Sequence, residues 1–164
     1  MGRVRQSISG RGEQHMTSKE RVLKREFDRG RIAAQEVQNK SSEMTGTELN
    51  AVDDRIPSFK EAVKVMNMLD RKIGFVCKST AGRVVKLNQP YDSTIYTAEP
   101  EELTAQFGFV WSDDPTKALP FIAISTSPYM KGNCCLNGEG TPKRSKQDNN
   151  VWSPDTNPEF WEDV

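Results

Sequence analysis

The chain has 164 residues, long enough for one domain with extensions and short for two independent cores. Hydrophobic residues make up 35%, below the roughly 45–50% of ordinary globular chains (a reference that also counts Gly), so part of the chain is poor in core. With 23 basic and 23 acidic residues the formal net charge is zero, which argues against a uniformly basic nucleic-acid coat. The longest apolar run, residues 118–124, contains a proline and is far too short to span a bilayer.

The zero net charge hides segregation. Residues 1–40 hold ten Lys/Arg against five Asp/Glu, whereas residues 90–130 hold one against six. Such blocks suit docking to a complementary surface, and they equally suit solvated faces.

Residues 1–16 read as a flexible basic arm, with Arg3, Arg5 and Arg11, three glycines and little to bury. The arm has no apolar stretch of the kind a secretory signal needs. Thr17 and Glu20 then form a capping box that opens a helix predicted over residues 17–40. Leu23, Phe27, Gly30, Ala34 and Val37 recur at alternating spacings of four and three. They make one narrow apolar stripe on an otherwise charged helix. A stripe this thin cannot form a domain core, and it suits lying along another surface. Its small residues, Gly30 and Ala34, allow a neighbour to come close.

Residues 41–55 read as a polar linker. A core domain is expected over residues 56–130. Ser58 and Glu61 suggest a second capping box, and Phe59, Ala62, Val63, Val65, Met66 and Leu69 give a broad helical face ending near Arg71. Residues 73–77 and 84–87 read as a hairpin turning at Ala81 and Gly82. Residues 94–97, 109–111 and 121–124 supply three further short strands, and residues 100–107 a short helix with Pro first and acids in its opening turn. The order predicts an α+β fold: a small, mainly antiparallel sheet of about five strands, one core helix and one short helix. The amphipathic N-terminal helix and a polar C-terminal tail flank this core. Residues 131–164 read as that extended tail, punctuated by Gly and Pro. Trp152, Phe160 and Trp161 stand out in it as anchor aromatics beside Glu162 and Asp163, able to fill partner pockets or to fold back onto the chain's own core.

The residues offer little for catalysis. The one histidine, His15, lies in the basic arm, where nothing orients it against a nucleophile. Cys134 and Cys135 are adjacent, whereas structural zinc sites space their thiols by two to four residues, so neither metal nor cofactor is expected. An odd count of three cysteines without a signal sequence fits a reducing compartment, the cytoplasm or a virion. Residues 79–83 have phosphate-loop composition but read better as a hairpin turn. The expectation is a non-enzymatic structural or accessory subunit of a large assembly, of which a phage head or tail is one natural example. It would meet other protein subunits through Leu23, Phe27, Gly30, Ala34, Val37, Trp152, Phe160 and Trp161. The alternative is a nucleic-acid-binding accessory protein using Arg3, Arg5, Arg11, Lys24, Arg25, Arg29 and Arg31 on phosphates. No small-molecule substrate and no membrane partner is indicated.

Overall fold

A computed structural model describes residues 16–164. The arm residues Arg3, Arg5, Arg11 and His15 lie outside the described residues. Helix α1 spans Ser18–Lys40 and opens on the expected capping box: Glu20 N–H donates to Thr17 Oγ1 at 3.2 Å, and Thr17 N–H to the Glu20 carboxylate at 2.6 Å. A second capping box, Thr45 with Glu48, opens helix α2, Gly46–Ala51. This helix falls inside the expected linker. It exists because Leu49 is fully buried and because Asn50 donates to the Val110 carbonyl at 3.1 Å, a contact 60 residues away in sequence.

Helix α3 spans Phe59–Val65 and is shorter than its apolar pattern predicts. Met66 turns extended (φ −154°, ψ 138°), and Asn67 opens a separate 3₁₀ turn, Met68–Asp70. Asn67 is fixed from outside: its amide donates to Asp92 at 3.0 Å, and it accepts from Ser93 N–H at 3.0 Å. Only Phe59 and Ala62 of α3 are buried, so the helix meets the core through its first turns.

The expected hairpin is present. Strand β1 (Val76–Lys78) pairs antiparallel with β2 (Val84–Leu87), and β2 pairs antiparallel with β3 (Phe107–Phe109). The segment 94–97 is a turn rather than a strand, because the Asp92 carboxylate takes the Thr94 N–H and hydroxyl at 3.0 and 2.6 Å. The expected helix at 100–107 is a single 3₁₀ turn, Pro100–Glu102. Residues 121–124 form no strand; Phe121 N–H donates to Leu136 O beside an isolated bridge at Pro120.

The largest difference lies at the C-terminus. Residues 131–164 build a second three-stranded antiparallel sheet instead of an extended tail: β4 (Cys134–Leu136), β5 (Pro142–Ser145) and β6 (Trp161–Asp163). The fold is therefore α+β with six short strands in two sheets. Trp161 is 5% exposed, and its ring meets Phe121 and Tyr129 edge to face at 5.9 and 5.5 Å. Tyr129 stacks on Trp111 at 4.3 Å, and Trp111 on Phe109 of β3 at 5.8 Å. This aromatic series joins the second sheet to the first. Asn150, fully buried, bonds Ser145 at 3.0 Å and holds the closing loop to β5.

Candidate docking surfaces

Helix α1 is fastened to the body by its last turns. Val37 is its one buried residue and packs with Leu49, Ile56, Val76 and Val84. Beside it, the Gln38 side chain pairs with the edge of β1: its amide donates to Val76 O at 2.6 Å and accepts from Val76 N–H at 2.9 Å. An amide side chain thus takes the two hydrogen bonds that a neighbouring strand would have made. Lys86 adds a bond to the Ser41 carbonyl at 2.9 Å, next to the helix end.

Residues spaced by three and four share one side of a helix, so the row that carries Val37 into the core runs outward as Ala34, Gly30, Phe27 and Leu23. At 1.5 Å per residue, Phe27 lies ~15 Å and Leu23 ~21 Å beyond Val37. The body does not follow them: Phe27 is 73% and Leu23 56% exposed. A Cβ built on Gly30 meets nothing within 4 Å, and Ala34 is half-buried. Covering Leu23 and Phe27 together would contribute ~2–4 kcal/mol. Lys24, Arg25, Arg29 and Arg31 are all exposed on the same helix, Arg31 being 3.8 Å from Asp28.

The C-terminal aromatics divide. Trp161 belongs to the core, and its indole N–H donates to Trp152 O at 2.9 Å. Trp152 is 45% exposed and pairs with the half-buried ring of Phe160 at 5.3 Å. Only this pair offers outward apolar surface.

A second surface was not expected from the sequence. Val65, Met66, Leu69 and Ile73 are exposed on the segment after α3, as are Ile95 and Tyr96 on the turn that Asn67 ties to it. A half-open groove of about 480 Å³ runs between Gln35 and Gln38 of α1 and Met66, Arg71, Ile73 and Phe75. The Arg71 guanidinium lies 4.2 Å above the Phe75 ring and donates to Ala62 O at 3.0 Å. The pattern of α3 held the signal: the apolar residues at its end could equally have been a second exposed face. Only the break at Met66 decides between the two.

The cysteines are buried, and the polar groups of the hairpin turn are engaged. Burial pushes the Cys77 and Cys135 thiols up to about 12, and raises Cys134 as well. All three are buried and free. At neutral pH they are therefore protonated and closed to a substrate. At the hairpin turn, Glu99 takes the Thr80 N–H and hydroxyl at 3.2 and 2.6 Å. Glu101 takes the Ser79 hydroxyl at 2.6 Å and Arg83 Nη1 at 3.2 Å. The chain's own carboxylates thus take the donors of this turn. Among the described residues no group of His, Cys, Asp and Glu is arranged to hold a metal ion, and no helix is long and apolar enough to cross a membrane.

No family model, no curated protein and no solved structure matches the chain.

Proposed function

We propose that this protein is a non-enzymatic structural or accessory subunit of a larger assembly, and that α1 is its principal docking element. One observation carries the reading: a 23-residue helix is anchored through Val37 and Gln38, while Leu23 and Phe27 stand open on the same row. Helices in proteins draw most of their stability from packing rather than propensity, and this one draws its order from a capping box and one anchored end. A partner that covers the stripe gains the apolar contact and completes the helix. The exposed Trp152 and Phe160 rings give a second, smaller contact. A virion head or tail is one assembly that needs such a subunit.

Replacing Leu23 and Phe27 together by Asp tests the reading. Neither residue supports the core, so the variant should keep the wild-type unfolding transition and lose incorporation into the native assembly. Normal incorporation would sink the proposal.

A second reading is favoured by Arg21, Arg25 and Arg29, which recur every four residues on a ridge facing away from the Leu23 and Phe27 row. With Lys24 and Arg31, and with Arg3, Arg5 and Arg11 of the arm, such a ridge would neutralise nucleic-acid phosphates. It predicts affinity that falls steeply with salt in fluorescence anisotropy against single- and double-stranded probes. Affinity independent of salt removes it.

A further inference from the structure

We infer that the docking partner of α1 includes a second copy of this chain, whose surface around Leu69 and Ile73 receives the helix. The inference rests on the reading of α1 as a docking element and names what it docks on.

Two uncovered surfaces on one chain fit each other in chemistry. The first is the α1 stripe, with Leu23 56% and Phe27 73% exposed. The second comprises Val65, Met66, Leu69, Ile73, Ile95 and Tyr96, between 42% and 79% exposed. Asn67 unites the second surface, because it bonds both Asp92 and Ser93 of the turn that bears Ile95 and Tyr96. Met66 and Ile73 also line the groove beside α1, so the apolar surface opens directly onto a recess. In its own chain, α1 presents Gln35 and Gln38 to that recess and directs its apolar row elsewhere. The stripe therefore cannot satisfy the patch of its own chain while Val37 and Gln38 hold.

Charge points the same way. Helix α1 carries seven Lys/Arg against four Asp/Glu. Residues 87–116, which include the Ile95–Tyr96 turn, contain six Asp/Glu and no Lys or Arg. The Ile95–Tyr96 side of the patch is thus acidic, whereas Lys64, Arg71 and Lys72 border Leu69 and Ile73, so a basic helix is steered to the turn and its orientation on the patch is set.

The area is sufficient. At roughly 100 Å² for a fully exposed large apolar side chain, covering these eight removes ~500 Å² of apolar surface per chain in a reciprocal exchange. An average interface is about 57% apolar, which implies ~880 Å² per chain in all. A standard stable interface needs ~800 Å² per partner. Reciprocal exchange closes on a twofold axis, each chain giving one helix and receiving one.

Sedimentation equilibrium of the 164-residue chain tests this. The wild type should reach twice the 18.5 kDa chain mass in a concentration-dependent manner. Two variants separate the surfaces: Leu23→Asp with Phe27→Asp on the helix, and Leu69→Asp with Ile73→Asp on the body. All four residues are exposed, so near-ultraviolet circular dichroism should be unchanged. Each variant alone should weaken dimerisation at least ~100-fold. Mixed, they should form a heterodimer, because one chain still has a helix to give and the other a surface to receive it. A wild type that stays monomeric overturns the inference, as does a body variant that dimerises like wild type. In those cases a helix variant that still fails to join the native assembly leaves the docking role of α1 standing with a different partner. A helix variant that joins normally removes that role itself.

Discussion

Gln38 stands where an edge-strand neighbour would, and its two bonds to Val76 explain why α1 leaves the body at one fixed place. A carboxylate at this position keeps the acceptor and loses the donor. Gln38→Glu should therefore leave Val76 O without its partner and cost about 1–3 kcal/mol, read by chemical denaturation, while the Val76 amide keeps its acceptor. At Gly46 the reason is space: a Cβ there would lie 2.2 Å from the Trp111 carbonyl oxygen. That oxygen belongs to backbone and cannot swing away. Gly46→Ala should destabilise the fold by about 1–3 kcal/mol, seen as a lower denaturation midpoint. The buried thiols set an alkaline limit. Cys77 and Cys135 keep their protons in the folded state to about pH 12, whereas unfolded thiols release them near 8.5. Above about pH 9 the unfolded chain thus binds fewer protons than the folded one, and stability falls as pH rises towards 12. Denaturation titrations should show this decline, and Cys77→Ala should flatten it. Of these residues, Cys77 fell within the strand predicted over residues 73–77. The roles of Gln38 and Gly46 depend on partners 38 and 65 residues away, which no local pattern displays.

At the scale of elements, local signals predicted α1 and the first hairpin, but not residues 94–97, 100–107 and 121–124, and the Ser58 side chain makes no cap bond. The Thr17 and Glu20 box marked the start of α1, and the turn residues between 78 and 84 marked the β1–β2 hairpin. The Thr45 and Glu48 box was equally readable and opens α2, but the polar composition around it concealed a helix held by one buried leucine. The strands of the second sheet have three or four residues each, too few to show an alternating pattern. What orders them is non-local: Tyr129, Phe121, Trp111 and Trp161 stack into one cluster from three regions of the chain. Trp161→Ala should accordingly cost about 3–5 kcal/mol. Trp152→Ala, which removes a surface ring, should cost under about 1 kcal/mol. Thermal unfolding of the two variants compares them directly. Equal losses would mean that the exposed pair carries structural weight the packing does not show.

For the whole molecule, the composition was a fair guide to a polar chain and a poor guide to where the core ends. The core is smaller than even the low apolar content implies, because the chain leaves large apolar side chains outside: Leu23 and Phe27 on α1, and Val65, Leu69 and Ile73 on the body. A second sheet stitched by polar bonds, such as those of Asn150 and the Lys143–Asp163 ion pair, needs less apolar volume than a conventional core. The segregated charge was visible in sequence, and the structure gives it a geometry: a basic helix extends from a body that carries an acidic turn. The candidate sites were half legible for the same reason. A helical stripe is a local pattern, whereas an exposed patch exists only once α3 has ended at Met66 and the turn at Asp92 has been tied to Asn67.

The central claim is that α1 docks through Leu23 and Phe27. Its most direct test is quantitative incorporation of the Leu23→Asp, Phe27→Asp variant into the native assembly, alongside wild type at equal expression. The account predicts a folded protein with an unchanged denaturation midpoint and at least a ~10-fold loss of incorporation, the effect of about 1.4 kcal/mol of lost contact. Incorporation equal to wild type would contradict it.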